Sequence, residues 1–230
     1  MARDKNPLPE PFDWRTVGPL LPRPYRQGHL DSLCGIYAIV NGCRNAMFTL
    51  DPTRRVSWAG LFRAMVDDLT ATGELGGVLC HGMEAWQHSR MVAVARRHLG
   101  QVHQLRLTTR KAWWGHRGLT KASAFAVVRR HLSCPGASAL LSFDTATFSH
   151  WTVISSIDRR HIRFTDSIGM KVRSLSQFVL AGGRSDPFQP QRSHSVDRSS
   201  LILLSISQRR SGSTPQPQLP IQAAGSVWGR

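Results

Sequence analysis

Three residues far apart in the chain have the types that thiol-based acyl chemistry requires: Cys34, His150 and Asp166. Cys34 stands where an apolar periodic run begins, just after Asp31-Ser32 and just before Gly35. The expectation is that Asp31-Ser32 caps a helix and leaves Cys34 in its first turn. There, unpaired backbone N–H groups and the positive end of the helix dipole favour a thiolate, more so beside an imidazolium. Gly35 leaves room beside the sulfur for a substrate backbone. His150 opens the segment HWTVISSI and Asp166 closes HIRFTDS, with the charged turn Asp158-Arg159-Arg160 between them. In an antiparallel hairpin the start of one strand lies beside the end of the next, so Asp166 returns to the neighbourhood of His150. The acid can then orient the imidazole while its other nitrogen faces the thiol, giving nucleophile, base and orienting group.

Elements to hold these residues are legible in the hydrophobic period. Ile36, Val40, Cys43 and Met47 make an apolar stripe over 34–47. Trp58, Leu61, Phe62, Met65 and Leu69 make a second one after Ser57, an expected N-cap. Further helices are predicted over 84–99 and 121–132. Alternating or continuous apolar runs predict strands at 102–107, 137–143, 150–157, 161–165 and 201–206. Helices first and an antiparallel sheet second is an α+β arrangement.

At 230 residues with 41% hydrophobic content, the chain can fill a sizeable core and is not wholly disordered. The expected organisation is a proline-rich N-terminal arm over 1–26, one catalytic domain over 27–208, and a disordered Ser/Pro/Gln-rich tail over 209–230. Thirty Lys and Arg against fourteen Asp and Glu give a net charge of +16, the balance of a nucleic-acid binder. The charge is dispersed, with no basic arm, and arginine supplies most of it. Arginine-rich residue usage explains this without a ligand, so nucleic acid is possible but not favoured as a partner. Four scattered cysteines with no CxxC pair exclude a disulfide scaffold and a zinc knuckle, and point to a reducing, cytoplasmic setting. No apolar run approaches the roughly 20 residues of a membrane span, and the first residues are charged and proline-rich. Neither export nor membrane insertion is expected.

The stretch Gln27-Gly28-His29-Leu30-Asp31-Ser32-Leu33-Cys34-Gly35-Ile36-Tyr37-Ala38, followed by His150-Trp151-Thr152-Val153 and then Asp166-Ser167, resembles papain-like cysteine peptidases, most of all the bacteriocin-processing, C39-like branch. The resemblance implies an α+β fold with the nucleophile helix packed on a C-terminal antiparallel sheet. It also implies cleavage of peptide or isopeptide bonds in a protein or peptide substrate, with no metal or organic cofactor. It gives Cys34 the role of nucleophile, His150 that of base and acid, Asp166 that of orienting acid, and Gln27 that of an oxyanion-hole donor beside the Cys34 N–H. Loss of one such donor costs roughly 2.7–4 kcal/mol of barrier. Gln27 stands seven positions before Cys34, one more than the family's usual spacing, and Leu33 fills a place where the family often has Asp. His29 and Ser32 are the other candidates for the donor.

The same triad serves acyl transfer when an amine replaces water, as in transglutaminase-like enzymes, and a basic binding module with a vestigial triad is the non-enzyme alternative. Cys43, Cys80 and Cys134 read as core packing. Cys80-His81 with His88 and His98 lacks metal-site spacing and reads as buried Cys and surface His. Trp113-Trp114-Gly115-His116 fits a stacking loop or an aromatic loop over the core equally well. Trp151 is expected to pack behind His150 and shield its contact with Asp166. Gly76-Gly77 and Gly182-Gly183 read as turn material.

Overall fold

The first apolar stripe becomes helix α1, Cys34–Leu50, and twelve of its seventeen residues are buried. The computed structural model describes residues 21–28, 31–113, 120–180, 194–196 and 198–209. The outer parts of the predicted arm and tail, His29, Trp114-Gly115-His116 and Gly182-Gly183 lie outside them. Helix α2, Trp58–Ala71, starts as predicted on Ser57, whose hydroxyl accepts the Gly60 N–H at 3.2 Å. A short helix α3, Leu75–His81, takes up Gly76 and Gly77, which are therefore helical and not turn residues. Helix α4, Ala85–Val102, opens on a capping box between Glu84 and Gln87 and runs a turn further than the period indicated. Val102 and His103 accordingly end a helix, and strand β1 begins at Leu105 and reaches Lys111. Helix α5, Lys121–Leu132, has the predicted bounds, with Thr120 as its cap.

The remaining strands are β2 (Ala137–Asp144), β3 (Ser149–Ile157), β4 (His161–Thr165), β5 (Val172–Ser174), β6 (Phe178–Leu180), β7 (His194–Val196) and β8 (Leu201–Gln208). Among the described residues they form one eight-stranded sheet in the order β1-β8-β2-β3-β4-β5, with β7 beside β2 and β6 beside β7. All pairs are antiparallel except β6 with β7. The three shortest strands lay below what alternation can signal, since three residues do not define a period. The architecture is mixed α+β.

Strand alternation gives the sheet two apolar faces. On one, Leu140, Trp151, Val153 and Leu204 pack against α1, α2 and α4; on the other, Ala139, Leu141, Phe143 and Ile154 pack against α5, Trp113 and Phe178. Trp113 thus belongs to the core. A Cβ built on Gly42 would lie 2.6 Å from Leu140 Cδ2, so the missing side chain lets α1 press close onto β2. Cys43 is buried, but Cys80 and Cys134 are exposed, contrary to the core role expected of them. No helix among the described residues is long and apolar enough to cross a membrane.

Candidate active site

The β3–β4 hairpin turns where the sequence indicated. Asp158 Oδ1 accepts the N–H groups of Arg160 and His161, both at 2.7 Å, and closes the loop. The register pairs Val153 with Thr165. His150, near the start of β3, and Asp166, just past the end of β4, therefore meet diagonally at one end of the sheet. His150 Nε2 donates to Asp166 Oδ1 at 2.6 Å, a length typical of charge-assisted bonds, and both side chains are almost wholly buried. Asp166 Oδ2 accepts the backbone N–H groups of Ile168 at 3.0 Å and Met170 at 2.9 Å. Burial works against the carboxylate's charge, but the bond from His150 and the backbone N–H of Met170 outweigh it and hold Asp166 below the usual range.

Cys34 opens α1, and its side chain lies near enough to His150 to act on the imidazole electrostatically. With Nε2 taken by Asp166, the nitrogen left for the thiol is Nδ1. Burial opposes the imidazolium here too, yet the bond and charge of Asp166 and the nearby Cys34 prevail and push the His150 pKa up to about 9. Cys34 keeps 8% exposure and His150 3%, so the pair is largely desolvated, which strengthens its electrostatics. The first intrahelical bond of α1 runs from Tyr37 N–H to Leu33 C=O, which leaves the amides of 34–36 ahead of the ladder and next to the sulfur.

The capping expectation needs correcting. Leu33 is the N-cap and offers no side-chain bond. Asp31 instead closes the preceding loop, accepting from Leu33 N–H at 3.1 Å and from Gly28 N–H at 2.9 Å. It sits two residues too early to reach the helix amides, and what it fixes is the path of the chain into Cys34.

Gln27 is brought to the same corner. Its backbone N–H donates to Ser167 C=O at 3.1 Å, Ser167 Oγ donates to its Oε1 at 3.5 Å, and its Nε2 donates to the Asp31 carbonyl. The loop before Cys34 is thereby tied to the residue that follows Asp166. The segment leading to Gln27 is held along α1, where the Asn41 amide binds both the N–H and the C=O of Tyr25, at 2.9 and 3.1 Å. Arg44 lies over the Tyr25 ring at 4.8 Å.

Trp151 does not cover the His150–Asp166 bond. As the next residue along β3 it points to the opposite face of the sheet. There it stacks on His88, and a Cβ on Gly35 would come within 3.4 Å of His88 Cδ2. His88 itself is fully buried, not a surface histidine. The rings that do pack on His150 are Phe143 and Phe148, with centroids at 5.9 and 6.4 Å.

Sequence reasoning also missed Asn45, whose Nδ2 donates to Thr165 Oγ1 at 2.8 Å and ties α1 to the residue before Asp166. The signal was Asn41 and Asn45, two amides four apart on a mostly apolar helix, and both are buried. Among the described residues no group of three or more His, Cys, Asp or Glu comes together to hold a metal ion. No known family model matches the chain. No curated protein matches it either.

Proposed function

We propose that this chain is a papain-like thiol hydrolase that cleaves peptide or isopeptide bonds, with Cys34 as nucleophile, His150 as base and acid, Asp166 as orienting acid and Gln27 as an oxyanion donor. One observation carries the reading: the buried His150–Asp166 pair, joined at 2.6 Å, with Cys34 at the start of α1 near enough to act on the same imidazole. The α+β layout supports it, because the nucleophile helix lies across a sheet whose β3–β4 end carries base and acid.

In the reaction, His150, its pKa raised to about 9, already holds the Cys34 proton on Nδ1, and the thiolate sulfur bonds to the carbonyl carbon. The carbonyl oxygen becomes an oxyanion beside the Cys34 N–H, and Gln27 Nε2 exchanges the Asp31 carbonyl for it. The C–N bond then breaks as the imidazolium gives its proton to the departing amine, leaving a thioester on Cys34. Water, deprotonated by the same nitrogen, releases the acid and restores the thiol. Asp166 stays ionised and fixes which imidazole nitrogen carries the permanent proton. Acyl transfer to an amine would use the same residues and differ only in the acceptor.

The test is site-resolved alkylation by iodoacetamide near pH 6. Cys43 is enclosed, with its thiol pushed up to about 12, so the exposed Cys80 and Cys134 are the competitors. Cys34 is expected to react about tenfold or more faster than either, and His150→Ala to remove that advantage. Equal labelling of the three rejects the proposal. Incubating the wild type and Cys34→Ala with a peptide library then identifies the substrate.

A further inference from the structure

Among the described residues five large apolar side chains are exposed, and two of them, Phe148 at 48% and Ile168 at 54%, flank the His150–Asp166 pair. Phe148 precedes β3 and Ile168 follows Asp166. Because β3 and β4 are antiparallel neighbours, both emerge at the same end of the sheet. The Phe148 ring lies 6.4 Å from the imidazole and 6.3 Å from Phe143. Its place is set by polar bonds. Its N–H donates to Thr145 Oγ1 at 3.1 Å, and its C=O accepts the Thr145 N–H at 2.9 Å and hydroxyl at 3.0 Å. The Ile168 N–H is likewise committed, to Asp166 Oδ2. Neither side chain is held outside by lack of structure around it. Leaving an aromatic and a branched aliphatic half in water forgoes hydrophobic stabilisation, which is recovered only if something apolar covers them.

The imidazole that takes the thiol proton later delivers it to the departing amine, so the leaving group lies on the His150 side of the scissile bond. We infer that the site takes an apolar side chain (Leu, Ile, Met or Phe) on the amine side of that bond, seated against Phe148 and Ile168. The inference rests on the thiol-hydrolase reading and specifies its substrate class.

The experiment isolates the amine side. p-Nitrophenyl acetate acetylates Cys34, with sulfur displacing p-nitrophenolate. The thioester then partitions between water, which gives acetate, and an added amine, whose nitrogen takes the acetyl group and frees the thiol. Leucinamide and glycinamide are compared as acceptors. Wild-type acyl-enzyme should be intercepted by leucinamide at about one-tenth the concentration that glycinamide requires. Phe148→Ser with Ile168→Ser should bring the two acceptors to parity, a ratio that does not depend on how fast the acyl-enzyme forms. Parity in the wild type, interception by neither acceptor, or a preference untouched by the double substitution overturns the inference while the hydrolase reading stands. Absence of any Cys34-dependent burst of p-nitrophenolate in the wild type overturns that reading, and this inference with it.

Discussion

His88 lies flat against Trp151, with ring centroids 3.6 Å apart and planes within 4°, and neither imidazole nitrogen has a hydrogen-bond partner. A histidine so enclosed behaves as an aromatic spacer between the sheet and the first turn of α1. Burial pushes its pKa down to about 3, against about 6.5 in the unfolded chain. Between those values the unfolded state binds a proton that the folded state refuses, so stability falls as the pH drops, by about 1.4 kcal/mol per unit. His88→Phe keeps the stack and removes the orphaned donor. Urea titrations should find the variant at least as stable as wild type at pH 7, with a flatter loss of stability between pH 6 and pH 4. An unchanged acid slope would contradict this.

Asp166→Asn keeps the shape at the far side of His150 but removes the charge. The raised imidazole pKa should move down from about 9 by about one to three units, as expected when an adjacent carboxylate is lost. In the wild type the contribution of His150 to stability is complete below about 6.5 and disappears as the pH rises through about 9. In the variant that alkaline loss should shrink in step with the fall in pKa. Imidazole proton NMR titration reads the pKa directly, and thermal unfolding at pH 7 and pH 9.5 reads the linkage.

The Asn45–Thr165 bond is buried, so each single deletion leaves a polar partner stranded. Thr165→Val and Asn45→Leu should each cost about 1–3 kcal/mol, and the double variant less than their sum. A double-mutant cycle by urea denaturation measures the coupling, and strict additivity would dismiss the bond.

Alanine at position 42 would improve helix propensity by about 1 kcal/mol. The overlap with Leu140, which is fully buried, outweighs that gain. Gly42→Ala should therefore destabilise, and Leu140→Val in the same chain should recover part of the loss, as followed by thermal unfolding.

The hydrophobic period and the turn residues by themselves fixed α1, α2, α5 and the β3–β4 hairpin, because each is long or sharply punctuated enough for local preference to decide. They also singled out Cys34, His150 and Asp166, since a hairpin converts sequence separation into distance by simple counting. Tertiary structure decided the rest. The end of α4 and the short strands β5–β7 depend on neighbours that no local window contains. That Asp31 closes a loop and caps no helix follows from where the chain enters α1, and the face taken by Trp151 from how β3 sits between two layers. The ties of Gln27 to Ser167 and of Asn45 to Thr165 join residues more than a hundred apart, and only packing α1 onto the sheet brings them within hydrogen-bonding reach.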